Sequence, residues 1–171
     1  TVGAQNFRTI TKYCSNIGIP FLTVYAFSTE NWRRPQEEVS ALMKLFKQYL
    51  EEALRDFQDE NIRVRFLGDT SAFAPDLQEL IARVEHDSSS KTGMVLNIAM
   101  NYGGRDEIVM AAKQIAQQVK DGVLTVDGIC EETISRCLYT AGQPDPDLII
   151  RPSGENRISN FLLWQSAYAQ Y

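Results

Sequence analysis

The chain has 171 residues, a size that fits one domain spanning residues 1–171, and 44% of them are apolar, enough for a sizeable core. Its net charge of −5 argues against nucleic acid as a partner, yet leaves room for a phosphorylated ligand held by a few arginines in one cleft. Three cysteines without CxxC spacing argue against a zinc site or a disulfide framework and fit a reducing, cytoplasmic setting.

The first residues, Thr1-Val2-Gly3-Ala4, read as the inside of a helix, so the true start is expected upstream. Phe7, Ile10, Cys14 and Ile17 recur at helical spacing, and Gly18 stops that helix. Phe21 to Phe27 is rich in β-branched and aromatic residues and reads as a strand. Pro35 suits a helix start, and Val39, Leu42, Met43, Phe46, Tyr49, Leu50, Ala53, Leu54 and Phe57 then form one apolar stripe. Ile62 to Leu67 is a second strand, ending at Gly68-Asp69. Pro75 opens a helix with Leu77, Leu80, Ile81 and Val84 on one face. Met94 to Met100 is a third strand. Gly103-Gly104 leads into a helix carrying Ile108, Val109, Ala112, Ile115, Ala116 and Val119. Residues 121–128 read as a loop, Glu131 to Tyr139 as a helix, and Asp147 to Arg151 as a fourth strand. Phe161 to Tyr168 is a buried segment of undecided type. Its apolar residues, like those of Leu148 to Ile150, form a run too short to span a bilayer.

Strands alternating with helices predict an α/β fold, with a mostly parallel central sheet flanked by helices on both faces. Ligands of such folds bind beyond the carboxyl ends of the strands. Three segments are expected on that rim. Ser28-Thr29-Glu30-Asn31-Trp32-Arg33-Arg34-Pro35 offers hydrogen bonds, a carboxylate, a flat apolar ring and two cations at a helix start; it also reads as a capping loop with solvated arginines. Arg151 to Asn160 places two guanidinium groups beside a glycine turn and several hydroxyls, which suits phosphate, or a surface Arg–Glu network. Asn101-Tyr102-Gly103-Gly104-Arg105 is a possible phosphate nest or a plain tight turn. Arginine in all three segments favours a diphosphate ligand. His86, the one histidine, lies in a polar stretch and is a weak candidate for hydrolase chemistry.

Taken together, YAFSTENWRRP (Tyr25 to Pro35), GDTSAF (Gly68 to Phe73), LNIAMNYGGR (Leu96 to Arg105) and the segment from Asp147 to Tyr171 resemble the cis-prenyltransferases, the family of bacterial undecaprenyl diphosphate synthase. The segments follow the family's order and spacing, and the resemblance covers essentially the whole chain. It implies an isoprenyl transferase that condenses isopentenyl diphosphate onto an allylic diphosphate such as farnesyl diphosphate. It also implies Mg²⁺ dependence, a homodimer, and a long-chain polyprenyl product delivered to the membrane for cell-wall synthesis. By position, Ser28, Thr29, Glu30, Trp32 and Arg34 would contact substrate, and Asn31 would take the catalytic, proton-accepting role. Arg151, Arg157, Ile158 and Ser159 would bind isopentenyl diphosphate.

The chain departs from the family at several points. The family's Asp-Gly-Asn-x-x-Arg-Trp segment belongs upstream of the region matching Thr1, and its members continue past Tyr171, so the chain is expected to be incomplete. Gln170 occupies the place of a metal-binding glutamate, Asn156 that of a frequent histidine, and Pro152 that of a small residue. A non-catalytic partner subunit of the same family is the alternative reading. An unrelated α/β phosphate-binding module or phosphatase is disfavoured, because the chain has no Walker motif and no histidine-rich cluster.

Overall fold

In the computed structural model, which describes residues 2–57 and 59–171, the first helix, α1, spans Val2–Asn16. Thr1 and the Leu54 side chain, both read above as parts of helices, lie outside the described residues. Gly18 ends α1 in the left-handed region at φ 81°, where a side chain would be strained. The helix turns Phe7, Thr11 and Cys14 toward the core. Ile10 and Ile17, expected on the same stripe, are 52% and 55% exposed instead. The buried face follows positions 7, 11 and 14, with a threonine at its centre.

Three strands follow: β1 (Phe21–Ser28), β2 (Ile62–Leu67) and β3 (Met94–Tyr102). They form one sheet in the order β1-β3-β2. β2 and β3 are parallel, in a register from Ile62 opposite Met94 to Leu67 opposite Ala99. The central strand is buried along nearly its whole length, as expected of a strand with neighbours on both sides. Helices α2 (Gln36–Asp56) and α3 (Pro75–Ser88) pack on each other, and α3 packs on β2. Phe27, Val39, Leu50, Ile62, Leu77, Leu80, Leu96 and Met100 share this core. Each such side chain contributes roughly 1.5–3 kcal/mol on burial.

The outer edge of β2 is closed by side chains. Val64 N donates to Ser88 Oγ at 2.9 Å, and Phe66 N donates to Glu85 Oε1 at 2.8 Å. The last turn of α3 thus satisfies edge donors that would otherwise invite another strand.

The chain forms two compact units, residues 1–101 and 102–171. In the second, α4 (Gly104–Lys120) and α5 (Glu131–Arg136) enclose Ala111, Ile115, Cys137 and Leu138, with Leu124, Ile134 and Trp164 packed alongside. Glu107 is 1% exposed and organises this unit. It accepts from Tyr102 Oη at 2.5 Å, from Tyr139 N at 2.8 Å, and from Gln165 Nε2 at 3.2 and 3.3 Å. The bond to Tyr139 N is one reason α5 stops at Arg136 rather than reaching Tyr139. That amide serves a buried carboxylate instead of a helical carbonyl.

The expected fourth strand is not formed. Asp147 to Arg151 contributes one parallel bridge, Leu148 opposite Gln170, closed by Ile149 N to Gln170 O at 2.8 Å and Gln170 N to Asp147 O at 2.9 Å. Its apolar composition suits a strand, but the ladder extends over a single residue pair, and Leu148 and Ile150 remain exposed. Residues 161–168 run as bends and turns.

Candidate functional site

β1 ends at Ser28, and the chain turns at once into a 3₁₀ helix over Thr29–Arg33. Asn31 fixes this turn, its Oδ1 accepting from Ser28 N at 2.8 Å. Trp32 packs edge-on against Phe27, with ring centroids 5.1 Å apart, and lies tilted against Phe73 at 5.9 Å. Its indole Nε1 donates to Asn101 Oδ1 at 2.7 Å. Part of the ring still faces outward, since Trp32 is 38% exposed. Glu30 is exposed beside the turn. Burial pushes the Tyr25 phenol up to about 12, the charge of Glu30 adds to the rise, and a hydrogen bond with Ser28 opposes it.

Arg34 lies just beyond the turn and pairs with Glu38, one helical turn along in α2. Both side chains are about half exposed, so the pair is weakly held and the guanidinium can exchange Glu38 for a stronger anion. In the same unit Gly68 adopts φ 124° at the end of β2. Asp69 then caps a 3₁₀ turn over Thr70–Ala72, accepting from Ser71 N at 3.0 Å and Ser71 Oγ at 2.5 Å. The structure thus gathers Ser28, Thr29, Glu30, Asn31, Trp32 and Arg34 on one short connection between a strand and a helix.

The second unit gathers the other arginines. Arg151 Nη1 donates to Arg157 O and to Ser159 Oγ, both at 2.7 Å. Ser153 (φ 74°), Gly154 (φ 65°) and Ser159 (φ 50°) are all left-handed, which curls the loop around the Arg151 guanidinium. Arg157 pairs with Glu155, and both are exposed. Ile158 is half-buried. The loop carries two exposed guanidinium groups, one bonded to Ser159 and the Arg157 carbonyl and the other paired with Glu155.

Gly103-Gly104-Arg105 makes a tight turn into α4. Gly104 N donates to Asn160 O at 2.7 Å, and Arg105 N donates to Asn160 Oδ1 at 2.9 Å. A Cβ on Gly104 would come within 2.7 Å of Leu163 Cγ. Here glycine permits close packing, and Asn160 engages two of the amides that a phosphate nest would use. His86 is exposed in the last turn of α3, where its carbonyl accepts from Ser89 Oγ at 2.6 Å.

Sequence reasoning placed Asn101 only at the edge of a candidate phosphate nest and gave no role to Glu107, which organises the second unit. Asn101 ends β3 at φ 48°, a conformation that asparagine tolerates better than most residues, and this was the one local signal available. For Glu107 there was none, because a glutamate in the first turn of a helix ordinarily faces solvent.

Residues 1–171 match the family described as "Putative undecaprenyl diphosphate synthase". The chain belongs to this prenyltransferase family. It is 48% identical over 168 residues, 98% of its length, to the farnesyl-diphosphate-specific ditrans,polycis-undecaprenyl-diphosphate synthase of Pasteurella multocida, of which it covers 70%. A crystal structure of a probable undecaprenyl diphosphate synthase from Campylobacter jejuni is similar with a TM-score of 0.86 at 35% identity, covering 99% of this chain and 78% of that one. Lavandulyl diphosphate synthase from Lavandula x intermedia, in complex with dimethylallyl diphosphate, gives a TM-score of 0.87 at 38% identity, covering 95% and 71%. The chain spans about two thirds of the length of the curated relatives it matches. The α/β fold expected from the sequence is the fold of this prenyltransferase family. No helix among the described residues is long and apolar enough to cross a membrane.

The resemblance to prenyltransferases implies Mg²⁺, which takes hard oxygen ligands, one or two carboxylates among them. Among the described residues no cluster of three or more His, Cys, Asp or Glu is arranged to hold a metal. Gln170 is exposed, is tied through its backbone to residues 147 and 149, and offers only a neutral amide. The described residues do not compose a magnesium site.

Proposed function

We propose that this protein condenses isopentenyl diphosphate onto an allylic diphosphate, with farnesyl diphosphate as primer, to build a long-chain cis-polyprenyl diphosphate for the cell-wall carrier lipid. The observation that carries this reading is the Arg151 loop. Arg151 draws the Arg157 carbonyl and the Ser159 hydroxyl into one curl that carries two guanidinium groups, inside a chain that matches the prenyltransferase family from end to end.

In this reading the loop from Ser28 to Arg34 holds the allylic substrate. Arg34 exchanges its weak bond to Glu38 for the diphosphate, and Trp32 lies against the isoprenoid carbons. Arg151, Arg157 and Ser159 hold isopentenyl diphosphate, with Ile158 beside them. The carbon–oxygen bond of the allylic diphosphate breaks and diphosphate leaves. The isopentenyl double bond supplies the electron pair for the new carbon–carbon bond, and the extended unit loses one proton. The Arg34 guanidinium stabilises the charge that develops on the departing diphosphate. Asn31 takes the proton-accepting position, with its amide oriented by the bond to Ser28 N. The growing chain runs along the amino-terminal half of α2. There Leu42, Met43 and Phe46 are only partly buried and Leu45 is exposed, whereas Val39, Leu50 and Ala53 of the same helix are buried in the core.

The neutral Gln170, at a position where the family carries a carboxylate, favours a second reading, in which the chain is a non-catalytic partner subunit. Incorporation of radiolabelled isopentenyl diphosphate into polyprenyl product distinguishes the two. The full-length protein, supplied with farnesyl diphosphate and Mg²⁺, should form product by itself. Product formed only after a second prenyltransferase subunit is added would overturn the first reading.

A further inference from the structure

Asn101 is 7% exposed and ends the central strand β3 in a left-handed conformation. Its short side chain makes two opposed bonds. Oδ1 accepts from Trp32 Nε1 at 2.7 Å, and Nδ2 donates to Asp69 O at 2.7 Å. Its main-chain oxygen accepts from Asp69 N at 3.3 Å. The orientation of the amide is fixed by its partners, because an indole nitrogen only donates and a carbonyl oxygen only accepts. One residue thus ties together the turn after β1, the turn after β2 and the end of β3.

We propose that Asn101 is a positioning residue for the allylic substrate, acting through Trp32; this rests on the transferase reading above. The edge-on contact of Trp32 with Phe27 and its tilted contact with Phe73 hold the ring by packing alone and give its nitrogen no partner, so they leave its exact position adjustable. The bond from Nε1 to Asn101 removes that freedom. It sets which part of the indole faces outward beside Ser28 and Arg34. Asparagine meets all the demands of the site: an acceptor and a donor on one short planar group, and tolerance of φ 48°. Aspartate keeps the acceptor and the backbone but loses the donor. Glycine keeps the backbone and loses both.

The test uses the full-length protein with Asn101→Gly and Asn101→Asp. The indole N–H of Trp32, assigned by its absence from Trp32→Phe, is followed by NMR as it exchanges with deuterium. Exchange should be slow in the wild type, at least about tenfold faster in Asn101→Gly, and close to wild type in Asn101→Asp. In steady-state kinetics Asn101→Gly should raise KM for farnesyl diphosphate about tenfold while KM for isopentenyl diphosphate stays within about twofold, and Asn101→Asp should recover most of that loss. Equal exchange in wild type and Asn101→Gly would overturn the anchoring role. Faster exchange with an unchanged KM for farnesyl diphosphate, or equal rises in both KM values, would overturn the role in the reaction. A wild-type protein without transferase activity would overturn the functional reading and the kinetic role with it, whereas the indole signal tests the anchor by itself.

Discussion

Gly68→Ala perturbs the point where the turns after two strands meet. A Cβ at this position would lie 2.1 Å from Met100 O and 2.9 Å from Asn101 O. Both atoms belong to the backbone of the central strand, so neither can step aside as the end of a flexible side chain could. Relief requires parting the ends of β2 and β3, which breaks the bond from Asp69 N to Asn101 O and strains the one from Asn101 Nδ2 to Asp69 O. Each net hydrogen bond contributes about 1 kcal/mol. The backbone at φ 124° adds about 1–3 kcal/mol for any residue with a side chain. The sum is about 2–5 kcal/mol, or a fall in Tm of roughly 4–20 °C for a domain of this size. Gly122→Ala is the control. Gly122 is also left-handed, at φ 72°, but a Cβ there would meet nothing within 4 Å, so only the conformational cost of about 1–2 kcal/mol applies. Thermal unfolding followed by circular dichroism compares the two. Equal shifts in the two variants would refute the steric argument.

Arg151→Ala and Arg157→Ala should each raise KM for isopentenyl diphosphate, because a charge-assisted contact to phosphate contributes roughly 1.5–3 kcal/mol; Tm should barely move in Arg157→Ala and fall only slightly in Arg151→Ala, which loses its exposed bonds to Arg157 O and Ser159 Oγ, and unchanged KM values would sink the assignment. Leu42→Trp or Phe46→Trp should shorten the polyprenyl product with the first condensation intact, as read by chromatography; a loss of about 1–3 kcal/mol in stability with unaltered product would mean ordinary core packing. Gln170→Glu should lower the Mg²⁺ concentration needed for half-maximal rate, and no change would remove position 170 from metal binding. The Tyr25 phenol ionises at about 12 in the folded protein against an ordinary 10.0, so its contribution to stability is complete below pH 10 and is lost as pH rises toward 12. Tyr25→Phe should therefore show a shallower fall in Tm over that interval than the wild type does.

The sequence by itself determined the elements whose signals are local. The strand from Ile62 to Leu67 begins and ends with the apolar residues that alternate with Arg63 and Arg65, and Pro75 opens α3 as its fixed φ requires. Motif order along the chain determined the family, because it needs no knowledge of contacts. It also marked the segments that hold the candidate site, although it could not say what each residue touches. Tertiary structure alone decided the rest. Ile10 on α1 and Ile17 just past its end are exposed, and Thr11 is buried, because the core lies one step around that helix from where hydrophobicity points. Asp147 to Arg151 has the composition of a strand but pairs over one residue, since a strand exists only where a neighbour runs alongside it. The sequence leaves the amides of Gly104 and Arg105 open to phosphate, but Asn160, far along the chain, holds both. Asn101 gains its role from residues 32 and 69, whose approach depends on the order of strands in the sheet. Periodicity and composition record how each segment meets water, whereas pairing across the fold depends on which distant segments arrive beside it.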